Sequence, residues 1–208
     1  MKSIPLLALA PILALSAVMA GTVEPSVGPF PYQQSWKISS IRGHGTMFPV
    51  QKLSNGTIFM TAKHVVLGIG PNMVAFHPDF GIIRTGIRVV KTHPYLDIAT
   101  IFVPVVDKRI RSVLVGQTPK LGDRCTVVAY PGPGHRRITE GNICGQKRMS
   151  AQIVGGSSGG PVFDETGRLI GVVRAVDVRN MGFAQIQIAW MGYYVEIDKK
   201  IMAFMLRG

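Results

Sequence analysis

Gly155-Gly156-Ser157-Ser158-Gly159-Gly160-Pro161 lies between an apolar run and the strand-like pair Val162-Phe163. Glycine loses more backbone entropy on folding than any other residue, so a run this dense needs a geometric reason. One such reason is a backbone that exposes a serine oxygen and turns N–H groups into the same small space. Acyl transfer requires that arrangement: a nucleophile beside an oxyanion hole. A flexible Gly/Ser linker is the other reading of the same composition.

A nucleophile loop needs a rigid frame. Ile38, Ile41 and Met47-Phe48-Pro49-Val50 read as short strands, with Gly43 and Gly45 marking close backbone approach. Asn55-Gly56 is a strong hairpin signal. Ile58-Phe59-Met60-Thr61 then reads as a buried strand that ends in Ala62-Lys63-His64-Val65-Val66. Val74 to Phe76, Ile82-Ile83, Ile87 to Val90 and Ile98 to Val103 continue at a spacing of about ten residues, the rhythm of an antiparallel sandwich or barrel. Pro104 to Val113 is a basic connector. Cys125 to Tyr130, Ile138 to Cys144, Val162-Phe163, Leu169 to Val173 and Phe183 to Ile188 form a second set. Glu196 to Leu206 is the one helix expected, with Ile197, Ile201, Phe204 and Met205 on one stripe. The pattern predicts an all-β fold of two small barrels, about 36–103 and 120–192, in one unit over 36–208.

The 208 residues are 47% hydrophobic and 16% charged, which excludes a disordered chain. The net charge of +12 is spread in pairs such as Arg136-Arg137, Lys147-Arg148 and Lys199-Lys200. There is no long basic run and no basic–aromatic alternation, so the charge reads as solvated surface and no specific nucleic-acid partner is expected; attraction to anionic polymers or membranes is the alternative. No Cys/His spacing suggests zinc or another metal. Met1 to Ala20 has Lys2 as its only charge, an apolar stretch and small residues before a cut, and reads as a signal peptide for a secreted or periplasmic protein. An uncleaved membrane anchor is the alternative, the one case in which a membrane is a partner. Gly21 to Ser35 reads as an extended arm.

Thr61-Ala62-Lys63-His64-Val65, Asp97-Ile98-Ala99 and Gly156-Ser157-Ser158-Gly159-Gly160-Pro161, in this order, resemble the motifs of the chymotrypsin-like serine proteases, and most of all the compact bacterial branch that includes the HtrA proteases. Gly43-His44-Gly45-Thr46, Leu121-Gly122-Asp123, Arg168 to Val173 and Gly182-Phe183-Ala184 are supporting echoes. The likeness runs from about Trp36 to Leu206. It implies two antiparallel six-stranded barrels and a short C-terminal helix, with His64 and Asp97 on the first barrel and Ser158 on the second. It further implies a serine endopeptidase that acts on protein or peptide substrates without a cofactor.

The chemistry of the residues agrees. A serine hydroxyl is a poor nucleophile until a base takes its proton, and His64 would be that base. Asp97 would hold the other imidazole N–H and stabilise the imidazolium. The N–H groups of Gly156 and Ser158 would face the oxyanion. His44, His77, His93 and His135 have no partner motif and read as surface or turn residues. Two other readings stay open: a membrane-tethered viral-type processing protease and a catalytically inactive binding module.

The digestive members of the family carry Asp directly before the nucleophile, where a cleaved N-terminus pairs with it. Ser157 stands there in this chain, so some other contact must order the oxyanion loop. The short gaps between His64, Asp97 and Ser158 imply short surface loops, and no PDZ-like tail is expected. By the same resemblance, Gln152-Ile153-Val154, Arg174-Ala175-Val176 and Gly182-Phe183-Ala184 wall the pocket for the side chain before the scissile bond. Gln152 is uncharged, so a lysine buried there would lack a partner. Ile153, Val154, Ala175 and Ala184 would line the pocket and Gly182 would leave depth, which predicts cleavage after uncharged side chains of small to medium size. Arg174 swung into the cleft would favour an acidic one. Cys125 and Cys144 are the only cysteines. If Tyr130 faces Ile138, Cys125 falls opposite Ile143, and a disulfide is expected in an oxidising compartment.

Overall fold

The structure, a computed structural model, describes residues 31–132, 135–145, 147–176, 179–181, 184–186 and 191–207; for 175–176, 179–181 and 184–186 it describes the backbone. The expected signal segment 1–20, residues 21–30 of the expected arm, and Gly182 lie outside these residues. Among the described residues no helix is long and apolar enough to cross a membrane.

A 3₁₀ turn, Tyr32–Gln34, leads into β1 (Trp36–Ser40), β2 (Gly43–Leu53) and β3 (Gly56–Thr61). Helix α1 (Lys63–Ile69), β4 (Val74–His77), β5 (Gly81–Ile83), β6 (Arg88–Thr92) and β7 (Ala99–Val103) complete the first half. The second half holds β8 (Arg124–Ala129), β9 (Arg137–Gly145), β10 (Arg148–Met149), β11 (Pro161–Asp164), β12 (Leu169–Val176), β13 (Arg179–Met181), β14 (Ala184–Ile186), β15 (Gly192–Glu196) and α2 (Lys199–Leu206).

The second half closes as expected into a six-stranded barrel, β10-β15-β12-β11-β8-β9, with β13 and β14 as a separate hairpin. The first half corrects the expectation of a second six-stranded barrel. It is a seven-stranded sheet in the order β5-β4-β1-β2-β3-β7-β6, and its end strands β5 and β6 do not pair with each other. β5 has only three residues, and β6 carries Arg88 and Lys91 along its edge; short length and edge charge both discourage further pairing.

The hairpin signal at Asn55-Gly56 holds. Leu53 pairs with Gly56 across the Ser54-Asn55 turn. Gly56 also has a packing reason, because a Cβ there would run into the Phe102 ring. Two cores fill the halves. Trp36, Ile38, Met47, Phe59 and Ile101 pack in the first, and Cys125, Val127, Met149, Val162 and Val173 in the barrel. A third cluster joins them: Phe48, Met60, Ile98 and Phe102 from one side, Val128, Phe163, Leu169 and Val172 from the other, with Met202 and Met205 of α2. Burying each such side chain stabilises by roughly 1.5–3 kcal/mol, so the halves meet across a dry seam.

Four further expectations change. The chain turns helical at Lys63, where a strand end was expected. The C-terminal helix starts at Lys199, because Gly192–Glu196 pairs with β12 as a strand and Asp198 caps the helix, its Oδ1 accepting the Ile201 N–H at 2.7 Å. Phe204, expected on the buried stripe, is exposed, while Met202 and Met205 are buried. The disulfide is absent, and both cysteines are free thiols. Ala129 pairs with Arg137 and Cys125 with Gly141, so the register differs by two residues from the one assumed. Side chains alternate across a strand. Cys125 therefore shares its face with buried Ile143, and Cys144 points the other way into solvent.

Candidate active site

Asp97 lies in the loop between β6 and β7, and His64 is the second residue of α1. Asp97 Oδ2 lies 2.7 Å from His64 Nδ1, and its Oδ1 accepts the His64 backbone N–H at 2.9 Å. Helix α1 has no side-chain cap from Ala62, so this carboxylate acts as its cap from 33 residues away. Burial alone would raise the Asp97 carboxyl. The two hydrogen bonds from His64, the charge of its ring and the Arg174 guanidinium outweigh that and hold it below the usual carboxylate value. The loop itself is built by His93, whose Nδ1 accepts the N–H groups of Tyr95 (3.2 Å) and Leu96 (3.0 Å). Lys63 ties α1 to the same loop, donating to the His93 carbonyl at 3.0 Å.

The Gly/Ser stretch is two successive turns that share Ser157. The Ser157 N–H bonds the Val154 carbonyl (3.0 Å), and the Gly160 N–H bonds the Ser157 carbonyl (3.0 Å). The third residue of each turn is a glycine with positive φ, Gly156 at +87° and Gly159 at +83°, as a type II turn requires. The N–H groups of Gly156 and Ser158 are used by neither turn. Ser157 is buried, and its Oγ accepts the Val154 N–H at 3.2 Å. Gly159 has a second reason to be glycine: a Cβ would collide with Thr61 Oγ1 and the Thr46 carbonyl at the end of β3. Its N–H bonds the Val173 carbonyl at 2.8 Å.

These contacts bring the two halves of the site together. The Thr46 N–H bonds the Ser158 carbonyl at 2.8 Å. A methyl on Gly45 would lie 2.7 Å from Val65, the neighbour of His64, and 3.0 Å from the Ser158 carbonyl. Ser158 is thus docked directly on β2, which also packs against Val65 of the helix that carries His64. Its hydroxyl donates to the Arg174 carbonyl at 3.4 Å. A cavity of about 620 Å³ bounded in part by Gly116, Lys120, Asp164, Arg168 and Lys199 holds none of these groups, so chemistry rather than volume locates the site. Among the described residues no three His, Cys, Asp or Glu side chains converge as a metal would require.

Of the expected pocket residues, Gln152 is exposed and its Oε1 accepts from Arg137 at 2.8 Å. Val154 is half-buried. Ile153 packs inside the barrel, 1% exposed, and is core rather than an open wall. Arg174 turns toward Asp97, with Nε 3.9 Å from Oδ2, and stays largely exposed. Ala175 and Val176 lie in β12 and Ala184 in β14; their side chains, like Gly182, lie outside the described residues. Sequence reasoning missed the roles of Thr46 and Lys63, which stood there only inside motifs, and of His93, read only as a surface or turn residue; His77, read the same way, is instead buried. Only the turn-favouring His93-Pro94 pair carried a local signal.

A family model described as a trypsin-like peptidase domain matches residues 46–172. The serine protease Rv3671c of Mycobacterium tuberculosis is 30% identical over 208 residues, covering 86% of this chain and 48% of the relative. The chain spans about half the length of the curated relatives it matches. The crystal structure of the Rv3671c protease in its inactive form superposes with a TM-score of 0.65 at 24% identity, covering 84% of this chain and 88% of that one. The HtrA-type protease AlgW, solved with a tripeptide, gives 0.66 at 19% identity, covering 83% and 58%. These likenesses establish a chymotrypsin-like fold, and the family match covers the segment that holds His64, Asp97 and Ser158. The chain belongs to the trypsin-like peptidase domain family.

Proposed function

We propose that the protein is a serine endopeptidase that works through an acyl-enzyme with His64, Asp97 and Ser158 as its triad. His64 Nε2 takes the Ser158 proton as Oγ attacks the scissile carbonyl. The tetrahedral oxyanion faces the N–H groups of Gly156 and Ser158. His64 returns the proton to the leaving amine, the C–N bond breaks, and an ester on Ser158 remains. Water, deprotonated by His64, then attacks that ester and restores the serine. In the resting site the Ser158 hydroxyl rests on the Arg174 carbonyl; the reaction requires it to turn from there to the imidazole, a contact that commonly tightens only with substrate bound.

The observation that carries this reading is the two-point grip of Asp97 on His64, together with a serine docked on the neighbouring strand β2. A fluorophosphonate probe tests it directly. Wild-type protein should be labelled at Ser158, and Ser158→Ala should lose labelling and about 10⁶ of turnover while staying folded. Unlabelled, folded wild-type protein would instead mark a binding module.

The Arg174 guanidinium faces Asp97 and Gln152 carries no charge, which supports cleavage after uncharged residues of small to medium size. A peptide library ranked by the residue before the cut tests this; preference for Lys or Arg would overturn the pocket while leaving the triad untouched. Met1 to Ala20 supports export. N-terminal sequencing of the cell-derived protein would read Gly21 after cleavage and Met1 for a retained anchor.

A further inference from the structure

We propose that Thr46 is the positioning residue that orders the oxyanion hole from the opposite half of the molecule, an inference that rests on the endopeptidase reading. Thr46 is fully buried in β2. Its hydroxyl donates to the Gly156 carbonyl at 2.9 Å and accepts the Tyr130 N–H at 2.8 Å. Its backbone N–H donates to the Ser158 carbonyl at 2.8 Å. Its own carbonyl accepts from Thr61 Oγ1 at 2.7 Å, which anchors Thr46 to β3. Every polar group of this residue is therefore used, and two of them grip the nucleophile loop.

A peptide unit is planar and rigid. Holding the carbonyls of Gly156 and Ser158 fixes the peptide planes 156–157 and 158–159. The plane between them is fixed by the Gly160 N–H on the Ser157 carbonyl. The Ser158 N–H then has one direction available. The Gly156 N–H keeps only rotation about its own φ, which stands at +87°. That rotation is confined as well: a Cβ on Gly156 would meet the His44 ring and lie 2.7 Å from the Tyr130 carbonyl, so the glycine is walled on that side. Ser157 bonds within the loop, to the Val154 N–H, and reaches no charged partner. The hydroxyl of Thr46 supplies the contact to the rest of the protein.

The test compares Thr46→Val with Thr46→Ser. Valine keeps the shape and leaves the Gly156 carbonyl and the Tyr130 N–H without the hydroxyl; serine keeps both bonds. Thr46→Val should lower kcat by roughly 10–100-fold with KM little changed, because an oxyanion donor shifted by a fraction of an ångström fails mainly in the transition state. Fluorophosphonate labelling should slow in parallel, and Thr46→Ser should restore both to near wild type. Circular dichroism and melting curves establish that each variant is folded. Where Thr46→Val does not fold, Thr46→Cys, whose thiol is a weak donor, is read by the same assays with the same expected direction. A valine variant that melts lower yet labels and turns over like wild type overturns the proposal and leaves the triad standing. Equal losses in the valine and serine variants overturn it too. Wild-type protein that takes no label removes the endopeptidase reading and this inference with it.

Discussion

One carboxylate, that of Asp97, grips His64 at two points, the backbone N–H with Oδ1 and the ring with Oδ2. It caps the helix and orients the imidazole at once. Asp97→Asn keeps an oxygen for the backbone but turns an amide donor toward Nδ1, which forces the imidazole into the wrong tautomer. We expect kcat to fall by about 10⁴ with a nearly unchanged melting temperature. Asp97→Ala should lose the cap as well, at about 0.5–2 kcal/mol. The pH dependence follows from the lowered carboxyl. The stability that Asp97 contributes is fully present above the unfolded value near 4 and is lost as pH falls through the folded value. Asp97→Asn protein that retains a tenth of wild-type kcat would remove Asp97 from the triad.

Arg174 stands at the junction of the site. Its carbonyl receives the Ser158 hydroxyl, and its guanidinium lies 3.9 Å from Asp97 with 62% of the side chain exposed. On the proposed function, a peptide whose scissile carbonyl meets Ser158 would bring its adjoining N–H to the Arg174 carbonyl, and the next residue back would pass the guanidinium. A carboxylate at that second residue should raise kcat/KM relative to lysine. An exposed pair of this kind is worth about 0.2–1 kcal/mol, up to about fivefold, and less in high salt. Arg174→Gln should abolish the difference. Matched peptides carrying Glu, Gln and Lys at that position measure it, and equal rates in the wild type would refute it.

The pairing of His64 with Asp97 was legible because their residue types and order carry the signal. Most strand positions were legible too, the buried runs of β3 and β7 most clearly, whereas Gly192–Glu196, a strand in the barrel, was not. What escaped was set by distant parts of the chain. Helix α1 has seven residues and a cap supplied by Asp97, so no local pattern announces it. Thr46 reads as one strand residue among many until the Gly156 carbonyl, 110 residues on, meets its hydroxyl. The pairing of β8 with β9 was placed two residues off because the register depends on the intervening loop, and that error alone put the cysteines side by side. Ile153 was read as a pocket wall because sequence order cannot say which face of a segment turns inward.

His77 should make the fold sensitive to acid. Its side chain is 1% exposed, against the stacked rings of Trp36 and Phe80 at ring separations of 5.0 and 4.8 Å. Nε2 bonds the Gln33 carbonyl at 2.7 Å and Nδ1 accepts the Asp79 N–H at 3.1 Å, a pattern that only the neutral ring satisfies. Burial lowers its pKa; the Gln33 carbonyl and Asp79 oppose that, and Arg136 and Arg109 add to it. With a lowered folded value, the stability is fully present above the unfolded value near 6.5 and is lost as pH falls through the folded value. We expect the melting temperature to drop from pH 7 to pH 5 and His77→Gln to flatten that slope. The remaining slope should include His44, which burial and Lys37 also lower, against the Pro131 carbonyl. Identical slopes in the variant and the wild type would exclude His77 as the source.

The free cysteines predict an unequal pair. Cys125 is 2% exposed in the barrel core, and burial, aided by Cys144, pushes its thiol up to about 12. A thiol so hard to ionise is a poor nucleophile. Cys144 is exposed on the outer face of β9. Alkylation of the native, unreduced protein near pH 8 should therefore add one group, at Cys144, and a second only after denaturation. Cys144→Ser should shift stability by no more than about 0.5 kcal/mol, as surface substitutions usually do, whereas loss of a bridge would cost about 2–5 kcal/mol. Denatured, unreduced protein that takes no alkyl group, together with a stability loss in that larger range, would restore the disulfide and require β9 to shift its register against β8.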